Sequence, residues 1–552
     1  MKFSQSPLLS QRLPLWRSRL LLLGLLGGFV LLTAWSVYLQ GFNSGFLQEK
    51  GASRYSRVIE LSATRGRIMD RHGDVLAVST PVKSIWAIPE DAKLSPAQAR
   101  NLAGLLEMDL RELNHKLGSA SDFVFVKRQI PPDVADKVAA LNLPGIHDQR
   151  EYRRYYPSAE VAAHMLGFTG AEDVGQEGVE LAFESTLAGK PGSRRVIKDR
   201  RGEVVEDVES IRAPQEGKDI SLALDAKIQY LAYTNLRQAI AENRAKAGGI
   251  VVLDAKTGEV LALANAPTYN PNNRVKLIGG QLRNRALTDT FEPGSTMKPF
   301  TAALALDKGK YRFDTLIQTA PGRLTIGSAT IHDAHMHGML TVAQVIQKSS
   351  NVGAAKMALS LPPLEMWTML DSLGFGSPLK LGFPGEVGGR LRPVKKWQPI
   401  EQATMAYGHG ISVTLMQLAR AYLVFAREGD LIPLSLTRLE MAVLPGGTAP
   451  KAQISGYRVA GKTGTAHKIE SGVYANKYIA SFVGFAPASD PRLIVAVMID
   501  EPSGADYYGG DVAAPVFARV MAGSLRALGV APDAPSASLQ AGVEVPAVKE
   551  SM

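Results

Sequence analysis

The chain has 552 residues, 45% apolar and 21% charged, a length and balance that point to a folded protein larger than one ordinary domain. It holds no cysteine, which excludes disulfides, a thiolate nucleophile and cysteine-ligated metal sites. The net charge of +10 is dispersed, without a long basic run or interleaved aromatics, so nucleic acid is not an expected partner.

Residues 20–39 read LLLLGLLGGFVLLTAWSVYL and carry no charge. Twenty helical residues span about 30 Å, the thickness of a bilayer core. Lys2, Arg12, Arg17 and Arg19 precede this run with no acidic residue among them. The positive-inside rule then places residues 1–19 in the cytoplasm and everything after Gln40 outside it. The length of the run, and the bulky Tyr38, Leu39 and Phe42 at its end, favour an uncleaved signal anchor over a cleaved signal peptide. No second run reaches spanning length, so a single pass through the membrane is expected.

Residues 40–217 read as a polar connector followed by a mixed region of short strands and helices, a spacer or interaction domain without a nucleophile constellation. Within it, Ser95 to Leu117 has helical periodicity. The turn-rich Arg212-Ala213-Pro214-Gln215-Glu216-Gly217 marks a boundary. Residues 218–530 then form the expected catalytic domain. Ile220 to Leu224 is a predicted strand, and Asp225 can N-cap a helix running to about Lys246. Gly248–Leu253 and Glu259–Ala264 read as a hairpin around the turn Asp254-Ala255-Lys256-Thr257-Gly258. Residues 531–552, rich in Pro, Ala and Ser, read as a disordered tail.

Three short motifs carry the chemistry. In the first, Glu292-Pro293-Gly294 breaks the chain before Ser295-Thr296-Met297-Lys298, and the apolar stretch to Leu306 is helix-compatible. Ser295 should therefore open a helix, with Lys298 on the same face. A serine hydroxyl needs a base, and a lysine can serve if burial and neighbouring cations depress its pKa. The helix start also offers N–H groups to an oxyanion. In the second, Thr341 and Gln344 form a capping box on a helix that reaches Ser349-Ser350-Asn351. Ser349 can relay a proton to a leaving amine, and Asn351 can hold a substrate amide. In the third, Lys462-Thr463-Gly464-Thr465 follows a short predicted strand, 457–461. Lys462 and the hydroxyls of Thr463 and Thr465 suit a carboxylate, Gly464 lets a substrate approach the backbone, and the Thr465 N–H can complete an oxyanion hole with that of Ser295.

Each motif is weak alone. Lys256-Thr257-Gly258 repeats the third motif, but it precedes the serine and is followed by Glu259, which would repel a carboxylate. His332, His335 and His337 are spaced closely enough for a metal, yet a turn-rich loop of solvated histidines is the simpler reading. No metal and no cofactor is expected.

The ordered trio resembles the penicillin-binding proteins and serine β-lactamases. The wider sequence resembles the class B penicillin-binding proteins of bacterial division, the FtsI type. The matching stretches include Arg65-Gly66-Arg67-Ile68-Met69-Asp70-Arg71, Arg154-Tyr155-Tyr156-Pro157, Lys198-Asp199-Arg200-Arg201-Gly202, residues 267–274, Phe291-Glu292-Pro293-Gly294 and Tyr407-Gly408-His409-Gly410. The resemblance implies an α/β (α+β) transpeptidase fold, a central antiparallel sheet with flanking helices, preceded by a transmembrane helix and an elongated mixed pedestal of the dimerisation type. It implies a D,D-transpeptidase that crosslinks peptidoglycan stem peptides ending in D-Ala-D-Ala, with β-lactams as covalent inhibitors. Ser295 would be the nucleophile, Lys298 the base and Ser349 the shuttle, while Asn351, Lys462, Thr463, Gly464 and Thr465 would bind substrate. The implied setting is the periplasmic side of the bacterial inner membrane during septation. The implied partners are division proteins, including a lipid II polymerase of the FtsW type.

Members of that family usually carry a longer stretch, with an additional helix, where Leu439 to Ser455 stand here around Pro445-Gly446-Gly447. The shape of one active-site wall and the affinity for β-lactams stay open on this ground, as does the choice between a septal enzyme and a specialised paralogue. A D,D-carboxypeptidase, a β-lactamase-like hydrolase and a non-catalytic division scaffold are the alternative readings.

Overall fold

The computed structural model describes residues 15–39, 56–198, 204–275, 277–434 and 450–534. Its first element is the helix Leu15–Val37, solvent-exposed along its whole length. Leucines from Leu20 to Leu32 lie bare, which suits lipid rather than water. Among the described residues it is the one helix long and apolar enough to cross a membrane.

The next part is built on the long strand Val75–Ala87, which pairs with Val124–Ile130 and with Ile146–Tyr155. Helices Pro96–Leu105, Leu110–Leu117 and Pro132–Ala140 pack on it around Ile85, Leu102, Leu113, Val126 and Val138. The predicted helix over 95–117 is thus two helices. Ser95 starts the first with a capping box, the chain turns back at Glu107 (φ 47°), and Asp109 caps the second.

One buried carboxylate ties this part together. Glu180 accepts from Arg65 Nε at 2.6 Å and from Arg154 Nε at 2.7 Å, with all three side chains sealed from solvent. Several of the stretches that carry the family resemblance are joints of this kind. Arg71 reaches Glu259 at 3.1 Å, and Asp70 accepts from the Ala226 N–H at 3.1 Å. Asn272 bonds the backbone of Tyr156 in both directions, at 3.0 and 2.9 Å.

Asp225 caps the helix Ala226–Glu242 by accepting from the N–H groups of Lys227 and Ile228. That helix lies on a five-stranded antiparallel sheet, in the order Val260–Ala266, Ala247–Asp254, Leu493–Asp500, Val473–Ala486, Ala460–Glu470. Its central strands are apolar at nearly every position because both faces are covered. Ile250 and Val252 face the helices Ala226–Glu242 and Ala514–Ala527, with Phe517 and Val520. Val251 and Leu253 face the helical layer that carries Phe300, Met416 and Tyr422. The period of two divides one strand between two cores.

Several expectations need correction. The strand over 220–224 is only Ile220–Ser221, and the helix after Asp225 ends at Glu242 rather than Lys246. The third motif does not follow a strand over 457–461; it lies inside the strand Ala460–Glu470. The tail does not begin at 531, because Asp533 accepts from the N–H groups of Arg458, Ala488 and Ser489. Most of the short segment 439–455, and residues 535–552, lie outside the described residues.

Removing Glu180 would leave the buried Arg154 guanidinium without its carboxylate and Arg65 with Glu184 alone. Glu180→Ala is expected to destabilise the chain by about 3–5 kcal/mol, seen as a lower denaturant midpoint at unchanged slope. A loss below about 1 kcal/mol would contradict the role given to the cluster.

Candidate active site

The serine motif begins with a turn that only glycine suits. Gly294 has φ 59°, and the 3₁₀ turn Gly294–Met297 leads into the helix Lys298–Asp307. Pro299 falls in the first helical turn, where its missing N–H costs nothing. Gly408, at φ 87°, crosses this turn so closely that a Cβ would lie 2.2 Å from the Gly294 carbonyl oxygen. The Tyr422 hydroxyl donates to the Thr296 carbonyl at 2.8 Å, and the Thr296 hydroxyl donates to the Pro293 carbonyl at 2.7 Å.

Ser349 is not at a simple helix end. It joins the helix Val342–Gln347 to the helix Asn351–Leu359 with φ 57°, a conformation unusual for a residue with a Cβ. Ser350 caps the second helix by accepting from the Gly353 N–H at 2.9 Å. This reversal drives Ser349 into the first motif. Lys298 Nζ donates to Ser295 Oγ at 2.9 Å, to Ser349 Oγ at 3.0 Å and to the Ser349 carbonyl at 2.5 Å. Ser349 Oγ donates to Ser295 Oγ at 3.0 Å, which closes a triangle of one amine and two hydroxyls. All three residues are buried.

The third motif forms the facing wall. Lys462 Nζ donates to Thr463 Oγ1 at 3.0 Å. The Gly509 N–H donates to Thr465 Oγ1 at 3.0 Å, which orients that hydroxyl. Gly464 has a structural reason as well: a Cβ there would lie 2.6 Å from the Pro293 carbonyl oxygen and 2.9 Å from Thr296 Cγ2, so the glycine lets the strand meet the serine turn. A Cβ on Gly294 would in turn lie 3.2 Å from the Thr465 carbonyl oxygen. The Ser295 and Thr465 N–H groups therefore belong to abutting segments. The structure brings Ser295, Lys298, Ser349, Lys462, Thr463, Gly464 and Thr465 to one place, with Asn351 two residues from Ser349.

Two supporting groups escaped the sequence reading. Glu292, buried just ahead of Ser295, accepts from the Gly410 N–H at 2.7 Å and from the Tyr474 hydroxyl at 3.0 Å. Burial pushes its carboxyl above the usual range, against those two hydrogen bonds. Asp333 accepts from the Ser350 hydroxyl at 2.6 Å and from the Val352 N–H at 2.9 Å. It stands among the histidines read as a solvated loop. Among the described residues, no group of three or more His, Cys, Asp or Glu is placed to hold a metal. The duplicate motif is a hairpin turn, with Lys256 on Asp490 and Glu259 on Arg71.

Comparison with known proteins agrees with this architecture. The model of the penicillin-binding protein transpeptidase domain matches residues 248–441 and 438–522, and that of the penicillin-binding protein dimerisation domain matches residues 60–222. The probable peptidoglycan D,D-transpeptidase PenA of Neisseria gonorrhoeae is 44% identical over 535 residues, covering 92% of each chain. The chain belongs to the penicillin-binding protein transpeptidase family. The peptidoglycan D,D-transpeptidase FtsI of Escherichia coli K12 is 41% identical over 549 residues, covering 94% of this chain and 93% of that relative. Among solved structures, the transpeptidase domain of Burkholderia pseudomallei penicillin-binding protein 3 is 46% identical with a TM-score of 0.52, over 57% of this chain and 98% of that one. A peptidoglycan synthetase from Bifidobacterium adolescentis aligns over 90% of this chain and 100% of that one, at 25% identity and a TM-score of 0.68. The penicillin-binding transpeptidase fold, with its pedestal and its N-terminal apolar helix, is thus that of the family.

Two histidines give this molecule an acid limit. Burial pushes the His409 imidazole down to about 4. Burial does the same to His164, also to about 4. In the unfolded chain both titrate near 6.5. Between those values the unfolded chain binds more protons than the folded one, so stability falls as pH drops from about 6.5 to about 4. His409→Gln is expected to flatten part of that slope in melting temperatures taken across the window. An unchanged slope would contradict the assignment.

Proposed function

We propose that the chain is a peptidoglycan D,D-transpeptidase acting through an acyl-serine intermediate. The observation that carries this reading is the buried triangle of Ser295, Lys298 and Ser349 beside the Lys462 strand. Ser295 Oγ attacks the carbonyl of the penultimate D-Ala of a stem peptide, and Lys298 takes its proton. Sealing a lysine from water favours its neutral, basic form over a buried ammonium. The hydroxyl of Ser349 is in contact with both groups, so it can pass the proton to the nitrogen of the leaving D-Ala. The oxyanion sits at the N–H groups of Ser295 and Thr465. Lys462, Thr463 and Thr465 hold the terminal carboxylate, and Asn351 holds the peptide backbone. An amine of a neighbouring stem peptide then takes the acyl group and regenerates Ser295. A β-lactam enters the first half of this cycle and stays on the serine.

The helix Leu15–Val37 anchors the chain, with the catalytic domain on the periplasmic side of the bacterial inner membrane. Residues 40–217 are the pedestal, residues 218–530 the catalytic domain. The resemblance to division-type relatives supports work at the septum, with division proteins and a lipid II polymerase of the FtsW type as partners.

Intact-mass analysis of the full chain with benzylpenicillin tests the reading. The wild type is expected to gain one penicilloyl mass that persists, and Ser295→Ala to gain none. Lys298→Gln is expected to slow acylation by about 10²–10⁴-fold. Persistent labelling of Ser295→Ala would sink the mechanism, and rapid release of the label from the wild type would favour a hydrolase.

A further inference from the structure

We propose that Asp333 is a positioning residue for acyl transfer, which sets Ser349 in reach of Ser295 by gripping Ser350. The inference rests on the transpeptidase reading of the site. Asp333 ends the hairpin of Arg323–Ile326 and Ala329–His332, and its own N–H donates to the Gly322 carbonyl at 2.9 Å. Its carboxylate is thus fixed to a separate element from the two helices that meet at Ser349.

The grip is made at three successive residues. Ser350 Oγ donates to Asp333 Oδ2 at 2.6 Å, the short distance of a hydroxyl bound to a charged acceptor. Val352 N–H donates to Asp333 Oδ1 at 2.9 Å. Between them, Asn351 Nδ2 donates to the His332 carbonyl at 3.0 Å. Ser350 passes the restraint inward, since its oxygen also accepts from the Gly353 N–H. The start of the helix Asn351–Leu359 is therefore capped by a serine that is itself held by a carboxylate, and a negative charge is favoured at that end.

Ser349 is the residue immediately before this clamp, in the left-handed region at φ 57°. A residue with a Cβ keeps that conformation only where its surroundings enforce it. The clamp supplies the enforcement on one side, and the Lys298 amine, on the Ser349 carbonyl and hydroxyl, supplies it on the other. Proton relay needs hydrogen-bond reach, and a shift of about 1 Å costs on the order of 10²-fold in rate. Asp333 therefore bears on the chemical step through Ser350, without touching the reacting atoms. Loss of the grip should lower the rate of acylation more than the capture of the donor, because Lys462, Thr463 and Thr465 sit on a different element.

Stopped-flow acylation of the full chain in detergent by a fluorescent penicillin separates the limiting rate from the half-saturating concentration. Asp333→Asn, nearly isosteric, is expected to lower the limiting rate at least about tenfold with the half-saturating concentration changed less than about threefold. Ser350→Ala, which keeps the carboxylate, should do the same. The double variant should be no slower than the slower single one, because the two residues act as one unit. Melting temperatures show whether each variant is folded. A limiting rate within about twofold of wild type in either folded variant, or losses that add in the double variant, would overturn the inference. So would a fall that merely tracks loss of folded protein. A wild type that is acylated at Ser295, beside an unaffected Asp333→Asn, sinks the inference alone. A wild type that is never acylated sinks the transpeptidase reading as well.

Discussion

A lysine amine sealed between two serine hydroxyls is the contact on which the rest of the structure depends. Lys298 Nζ lies within 3.0 Å of both Ser295 Oγ and Ser349 Oγ, and Lys298 has no solvent exposure. A bare buried ammonium would be costly, and a solvated amine would be a poor base near neutral pH. Enclosure by hydroxyls and a carbonyl meets both requirements. It also demands that two chain segments, 51 residues apart between Lys298 and Ser349, converge to within hydrogen-bond distance.

That convergence explains the glycines and the sheet. Gly294, Gly408 and Gly464 stand where backbone meets backbone: a methyl group at Gly408 or Gly464 would collide with a neighbouring segment, and Gly294 holds φ 59° close against Thr465. The strand Ala460–Glu470 is the edge of a sheet whose centre is covered on both faces, so it is held firmly while its outer side serves the site. The helix Lys298–Asp307 packs in the opposite layer through Phe300, which meets Tyr422 edge-on at 5.3 Å. Tyr422 returns a hydrogen bond to Thr296. Packing and polar contacts thus set one geometry together.

Much of this was legible in the sequence because it is local. The Asp225 cap, the Thr341–Gln344 capping box, the hairpin around Lys256 and the apolar N-terminal helix each follow from neighbouring residues, and the described structure has them. The order of the motifs pointed to the serine that the fold sets against Lys298 and Ser349. What stayed hidden is long-range. Asp333 was passed over among histidines, because nothing local says that its carboxylate meets Ser350. The need for glycine at 464 to clear Pro293 was not legible, because only the fold brings Pro293 beneath it. The tail was set too early, because the bonds of Asp533 reach back to Arg458 and Ser489.

The most direct test of the account is a site-mapped mass measurement with the natural class of donor. The full chain is quenched with acid shortly after mixing with a stem peptide ending in D-Ala-D-Ala, digested, and the acylated residue located. The expected result is the donor peptide, less its terminal D-Ala, as an ester on Ser295, with the adduct vanishing as a crosslinked product grows when an acceptor amine is present. An adduct on any other residue, or release of D-Ala with no acyl-enzyme at Ser295, would contradict the account.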